Sequence, residues 1–256
     1  MLAAHVQHRL RAALRAVATL CVVWLLVSAS PRQAQAQSNA SQPEILDVPG
    51  FASAFYFPPR TKRTRSVVVW MHGRGGNPHD DCIKWSHVAT DFGWLLCPSG
   101  QEDYGGGARS WNNDWPGAQR VIDAAMEALR KKHPNIQRNG NVLIGFSEGA
   151  YAAQNIGARE PRVFNRWLIL ASAARYWGGE GLEAIKNNRG SIKRVYLLTG
   201  ALDTPVLQES HEAYEILKKN KVHVRLRIVH DMGHEVPATR MRELYHQPLT
   251  WLVHNR

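Results

Sequence analysis

The chain alternates between short unbroken apolar runs and longer stretches whose apolar residues recur at helical spacing. Residues 66–71, 94–97, 142–144 and 166–171 are too continuously apolar for half-exposed strands, so they are predicted to be buried on both faces. Residues 193–199 form a further strand, and 222–229 one with an alternating pattern. Between them, residues 117–132 carry Val121, Ile122, Ala125, Met126 and Leu129 on one helical face. Residues 82–90, 182–188, 206–219 and 237–254 are the other predicted helices, the last with proline in its first turn. Two β-rich runs, 44–48 and 51–57, flank Pro49-Gly50 and predict an antiparallel hairpin at a sheet edge. Strand and helix alternate from Ser66 onward, with no internal repeat and no second domain boundary. The expected architecture is one α/β domain, 44–256, with a mostly parallel sheet covered by helices on both faces.

The first residues break this pattern. Arg9, Arg11 and Arg15 precede an almost wholly apolar run, 16–29, and Ala34-Gln35-Ala36 offers a small-x-small cleavage site. This is the layout of a secretory signal peptide over 1–36, with a polar lead-in at 37–43. The apolar run is short for a membrane span, and an uncleaved anchor is the alternative. The expectation is export, to the periplasm or outside the cell, with no stable membrane span after cleavage.

Removing that segment takes away Arg9, Arg11, Arg15 and Arg32 and no acid, which lowers the net charge from +11 to +7. The basic residues are scattered apart from a cluster at Arg60, Lys62, Arg63 and Arg65. No nucleic-acid-binding motif accompanies them, so the charge reads as solubility and weak attraction to anionic surfaces. The remaining cysteines, Cys82 and Cys97, are an even pair, which in an oxidising compartment predicts a disulfide, two buried thiols being the alternative. No CxxC or His-rich run suggests a metal site.

Candidate chemistry lies where strands end. The run 142–144 leads into Gly145-Phe146-Ser147-Glu148-Gly149 and at once into helix-forming residues. This is G-x-S-x-G between a strand and a helix, the setting of a nucleophile elbow. Glycines two residues either side relieve crowding at so sharp a turn. Ser147 would then stand above the sheet, with the Glu148 amide directed at a developing oxyanion. Asp203 follows the strand 193–199, where helix capping is its ordinary alternative. His234 lies between the strand 222–229 and the last helix, ahead of His230, Asp231, His72 and His79 as a candidate base. The chain order Ser147, Asp203, His234 fits such a site. Residues 72–76, His-Gly-Arg-Gly-Gly, follow the strand 66–71, and the Arg74 amide is the second expected oxyanion donor, with His72, Gly73 and Gly75 near the pocket. The segment 99–116 is glycine-rich and aromatic, and either lines the pocket with Trp111 and Trp115 or is a surface loop pinned by them.

Together these motifs resemble the α/β-hydrolase superfamily, in particular its phospholipase/carboxylesterase/thioesterase group. They are also similar to secreted polyhydroxybutyrate depolymerase and feruloyl esterase-like enzymes. The resemblance spans about 66–255 and implies a cofactor-free serine esterase acting on a small or polymeric ester. The carboxylesterase group usually has Gln after the serine, so Glu148 is a departure expected to alter pocket charge. Other readings are a peptidase or acyltransferase on the same fold, or a non-catalytic, carbohydrate-binding protein.

Overall fold

The computed structural model describes residues 42–172 and 178–254. The expected signal peptide and nearly all of the lead-in lie outside the described residues. In chain order the elements are β1 (Glu44–Leu46), β2 (Ala54–Phe57), β3 (Val67–Met71), α1 (Pro78–Ala89), β4 (Trp94–Cys97), β5 (Glu102–Gly105) and β6 (Ala108–Ser110). There follow α2 (Trp115–Lys132), β7 (Asn141–Phe146), α3 (Glu148–Arg159), β8 (Phe164–Leu170), α4 (Gly179–Asn188), β9 (Arg194–Gly200), α5 (Thr204–Lys219), β10 (Val224–Val229) and α6 (Met241–Val253).

Eight strands among the described residues form one sheet in the order β1-β2-β4-β3-β7-β8-β9-β10. β1 and β2 are antiparallel to each other, and β2 to β4, as the hairpin around Pro49-Gly50 requires. Every pairing from β4 through β10 is parallel. Successive β3 side chains serve opposite layers, which is why the strand has no polar position. Val67, Val69 and Met71 join the core under α2, α3 and α5, while Val68 and Trp70 join the one under α1 and α6. In the second layer Trp70, Trp85 and Tyr245 stack in series, with ring centroids 4.6 and 4.8 Å apart. Burying each such ring contributes about 2–3 kcal/mol beyond leaving it in water.

Three departures from the sequence pattern have a clear local cause. α1 starts at Pro78 rather than 82, because the Asn77 side chain accepts the His79 and Asp80 amides and Pro78 presets the first turn. The closing helix starts at Met241, after a 3-10 turn at Ala238–Arg240, so Pro237 precedes that turn rather than opening the helix. The segment 99–116 is not a plain loop: β5 and β6 make an antiparallel hairpin within it. Cys82 in α1 and Cys97 at the end of β4 are disulfide-bonded, with Cα atoms 5.7 Å apart. No helix among the described residues is long and apolar enough to cross a membrane.

Candidate active site

β7 delivers Ser147 into a turn that has no room for side chains on either side. Ser147 has φ 54° and ψ −116°, a strained position for a residue with a Cβ. A Cβ on Gly145 would lie 2.3 Å from the Gly149 carbonyl oxygen, and one on Gly149 would lie 2.2 Å from that of Met71. The glycines of G-x-S-x-G are therefore imposed by the approach of β3 and α3 to the elbow. The turn is held by the Ser147 amide, which donates to the Leu170 carbonyl at 3.1 Å.

The other two residues reach the serine from neighbouring strand ends. At the end of β9, Gly200 lets the histidine loop close over the strand, since a Cβ there would meet the Met232 carbonyl oxygen at 1.9 Å. Asp203 is 5% exposed and stands at the N-cap of α5, yet its side chain makes no capping bond. Instead Oδ2 accepts the Nδ1–H of His234 at 2.6 Å. His234 Nε2 in turn accepts the Ser147 hydroxyl at 2.9 Å, so the three groups form one hydrogen-bonded chain. The competing candidates lie elsewhere: Asp231 pairs with Arg240 at 3.0 Å, His79 with Asp80 at 2.8 Å, and His230 is exposed.

The loop 72–76 lies against the elbow. A Cβ on Gly73 would be 3.5 Å from that of Ser147 and would strike the Phe146 ring at 2.9 Å. The amides of Arg74 and Glu148 have no hydrogen-bond partner among the described residues. Gly75 takes φ +73° and donates to the Arg109 carbonyl at 2.8 Å, while the Arg109 amide returns a bond to Gly76 at 2.9 Å. The loop 72–76 is thus zipped to β6.

His72 and Trp111 are fully buried and present no surface to a ligand, so they support this loop from below rather than line a pocket. The rings stack with centroids 4.9 Å apart, and the Trp111 indole donates to the His72 carbonyl at 2.9 Å. His72 Nδ1–H donates to the Gly73 carbonyl at 2.8 Å and Nε2 accepts the Gly100 amide at 3.1 Å, which requires a neutral ring. Burial accordingly pulls its pKa below the usual histidine value, Arg109 adding to that and the Gly73 bond, Asp81 and Glu148 opposing it. Trp115, in the first turn of α2, is covered by the Arg159 guanidinium 4.1 Å above its ring.

The Glu148 side chain is only 3% exposed, so it does not tune the charge of an open pocket. Its carboxylate accepts the Ser110 hydroxyl at 2.8 Å, the Trp111 amide at 2.9 Å, the Asn113 amide at 3.2 Å and Arg74 Nη2 at 2.8 Å. Asn112 and Asn113 both adopt positive φ, 53° and 51°, which turns the neighbouring amides toward one anion. This receptor explains the segment 99–116. Its one sequence signal is the Asn112-Asn113 pair. No group of three His, Cys, Asp or Glu is disposed to hold a metal ion among the described residues.

Comparison with known proteins agrees with this geometry. The chain is 26% identical over 200 residues to the esterase YpfH of Escherichia coli (strain K12), covering 71% of this chain and 81% of that protein. The carboxylesterase of Bacillus cereus superposes with a TM-score of 0.58 at 18% identity, covering 78% of this chain and 92% of that one. The dienelactone hydrolase of Anabaena variabilis gives 0.59 at 16% identity, over 84% and 100%. These likenesses fix the α/β-hydrolase fold. The serine hydrolase (FSH1) family profile matches residues 78–243, a span that contains Ser147, Asp203 and His234, and the chain belongs to that family.

Proposed function

We propose that the protein is an exported carboxylic ester hydrolase working through an acyl-enzyme on Ser147. The observation that carries the reading is the unbroken chain from Asp203 through His234 to the strained Ser147 hydroxyl. As Oγ attacks the acyl carbon, its proton passes to His234 Nε2. Asp203 holds Nδ1–H, fixing the tautomer and stabilising the imidazolium that forms. The negative charge on the former carbonyl oxygen meets the amides of Arg74 and Glu148, the second reinforced by the N-terminus of α3. Collapse of this intermediate breaks the bond to the leaving alcohol, whose oxygen takes the proton from Nε2. Water repeats the sequence and restores the Ser147 hydroxyl.

Ester substrates are supported by the relatives, an esterase and a carboxylesterase. Export is supported by the layout of 1–36 and by the Cys82–Cys97 bond, which suits an oxidising compartment.

The test is fluorophosphonate labelling of purified protein beside Ser147→Ala, with hydrolysis of p-nitrophenyl esters from acetyl to palmitoyl. Labelling confined to the wild type, with a chain-length optimum, is expected. Absence of labelling in folded wild-type protein would overturn the reading, and turnover of acyl amides in preference to esters would move it to a peptidase. Intact mass of protein recovered from a native host tests export, a start after Ala36 being the expected result.

A further inference from the structure

We infer that Glu148 is a positioning residue for the reaction: its side chain sets the distance between the two oxyanion donors, one of which is its own amide. The inference rests on the serine hydrolase mechanism above. The donors come from points 74 residues apart in the chain, Arg74 on the loop after β3 and Glu148 at the start of α3. The sheet register ties those two backbones together only as far as Met71 opposite Gly145, three residues short of each donor. The side chains do so directly, through Arg74 Nη2 and Glu148 Oε1 at 2.8 Å.

A second route converges on the same carboxylate. Ser110, Trp111 and Asn113 donate to Glu148, while Arg109, next in the chain, is bonded to Gly75 and Gly76 on either side. The oxyanion loop is therefore fastened to Glu148 once through Arg74 and once through the hairpin. Every group meeting the carboxylate is a donor, and it sits in a cradle that two left-handed asparagines are strained to form. Such strain is not needed to bury an ordinary side chain. Holding preorganised donors against a developing charge is where a small displacement costs rate.

The experiment compares Glu148→Ala, Glu148→Gln and Arg74→Ala with wild type. Turnover of a p-nitrophenyl ester is normalised to active sites counted by phosphonate titration, and thermal melts are recorded alongside. Removing an oxyanion donor outright costs about 10²–10³-fold, so displacing donors by Glu148→Ala is expected to lower kcat at least about tenfold. KM should change less than about threefold, since the bound ester ground state makes little use of the hole. Glu148→Gln keeps an acceptor for Arg74 but turns an NH2 group toward the Trp111 amide, so it is expected to recover only part of the loss. Arg74→Ala cuts only the direct link at a half-exposed side chain and should lower kcat about threefold to tenfold without unfolding the protein.

A fall in melting temperature with kcat per titrated site unchanged would make Glu148 a structural residue and overturn the inference. Should Glu148→Ala fail to fold, unchanged kcat in Arg74→Ala and Glu148→Gln would overturn it equally. Wild-type protein that takes no phosphonate fails the proposed function instead, so the two failures are distinguishable.

Discussion

Gly149 rests against the carbonyl oxygen of Met71: a methyl group at Gly149 would lie 2.2 Å from it. Both partners are backbone, one at the start of α3 and one at the end of the central strand β3, so neither can move without shifting the elbow. Gly149→Ala is therefore expected to cost at least about 3 kcal/mol, or roughly 6–12 °C in melting temperature. It should also lower phosphonate labelling of Ser147. Gly190→Ala is the matched control, because a Cβ there meets nothing within 4 Å. Its expected effect is within about 0.5 kcal/mol. Equal melting temperatures for the two variants would contradict the packing argument.

Asp203 separates activity from stability. It stands at the N-cap of α5 without capping it, so its carboxylate serves His234 alone within that turn. Asp203→Asn keeps the shape but can present an N–H to Nδ1, which favours the tautomer with its proton on Nε2, the wrong one for accepting from Ser147. The expected loss is about 10³–10⁴-fold in kcat. A stability change of less than about 1 kcal/mol should accompany it, since no cap is lost. Paired kinetics and melts check this, and a large fall in melting temperature with modest loss of rate would point back to a capping role.

The residues most readily found from sequence share one property: each follows a run whose apolar pattern already marks a strand, alternating in the case of His234. Ser147, Asp203 and His234 could be read this way because Ile144, Leu198 and Val229 end such runs. The start of α1 was hidden because its buried residues, apart from Pro78, begin at Cys82, and periodicity sees only those. The role of Glu148 was hidden for a deeper reason. Arg74 lies 74 residues away, and the other partners, 35–38 residues away, reach it only when Asn112 and Asn113 turn left-handed, a choice that local sequence permits without dictating. Trp111 reads equally as pocket lining or as the pin of a surface loop, because composition cannot say which side of a loop a ring takes. Once β6 is zipped to Gly76, the ring falls beneath the loop, against His72.

The Cys82–Cys97 bond closes a loop of 15 residues between α1 and β4. Such a closure contributes about 3 kcal/mol, chiefly by restricting the unfolded chain. Both cysteines are fully buried, so reductant should reach the bond only through opening of the fold. Mature protein made in an oxidising compartment is expected to yield no alkylatable thiol when denatured without reductant, and two with it. The double variant Cys82→Ala/Cys97→Ala should melt roughly 6–12 °C lower. Two free thiols in secreted protein, or an unchanged melting temperature in the variant, would count against a stabilising bridge.

His72 predicts how the protein responds to acid. Its ring donates to Gly73 and accepts from Gly100, and a second proton would abolish the accepted bond inside the core. Burial therefore lowers its folded pKa below 6.5. The contribution to stability is complete above 6.5 and is lost as pH falls from there toward the lowered value, because the unfolded chain takes up a proton that the folded one refuses. The slope can reach about 1.4 kcal/mol per pH unit, or roughly 3–6 °C in melting temperature. His133 is also shifted down by burial, with Glu44 opposing and Lys132 assisting, so it adds loss of the same sign. His72→Gln keeps a donor and an acceptor without titrating. Its melting temperature should be lower than wild type at pH 8 yet fall less steeply toward pH 5.5, leaving the His133 share. Parallel acid profiles for wild type and His72→Gln would show that the proton goes elsewhere.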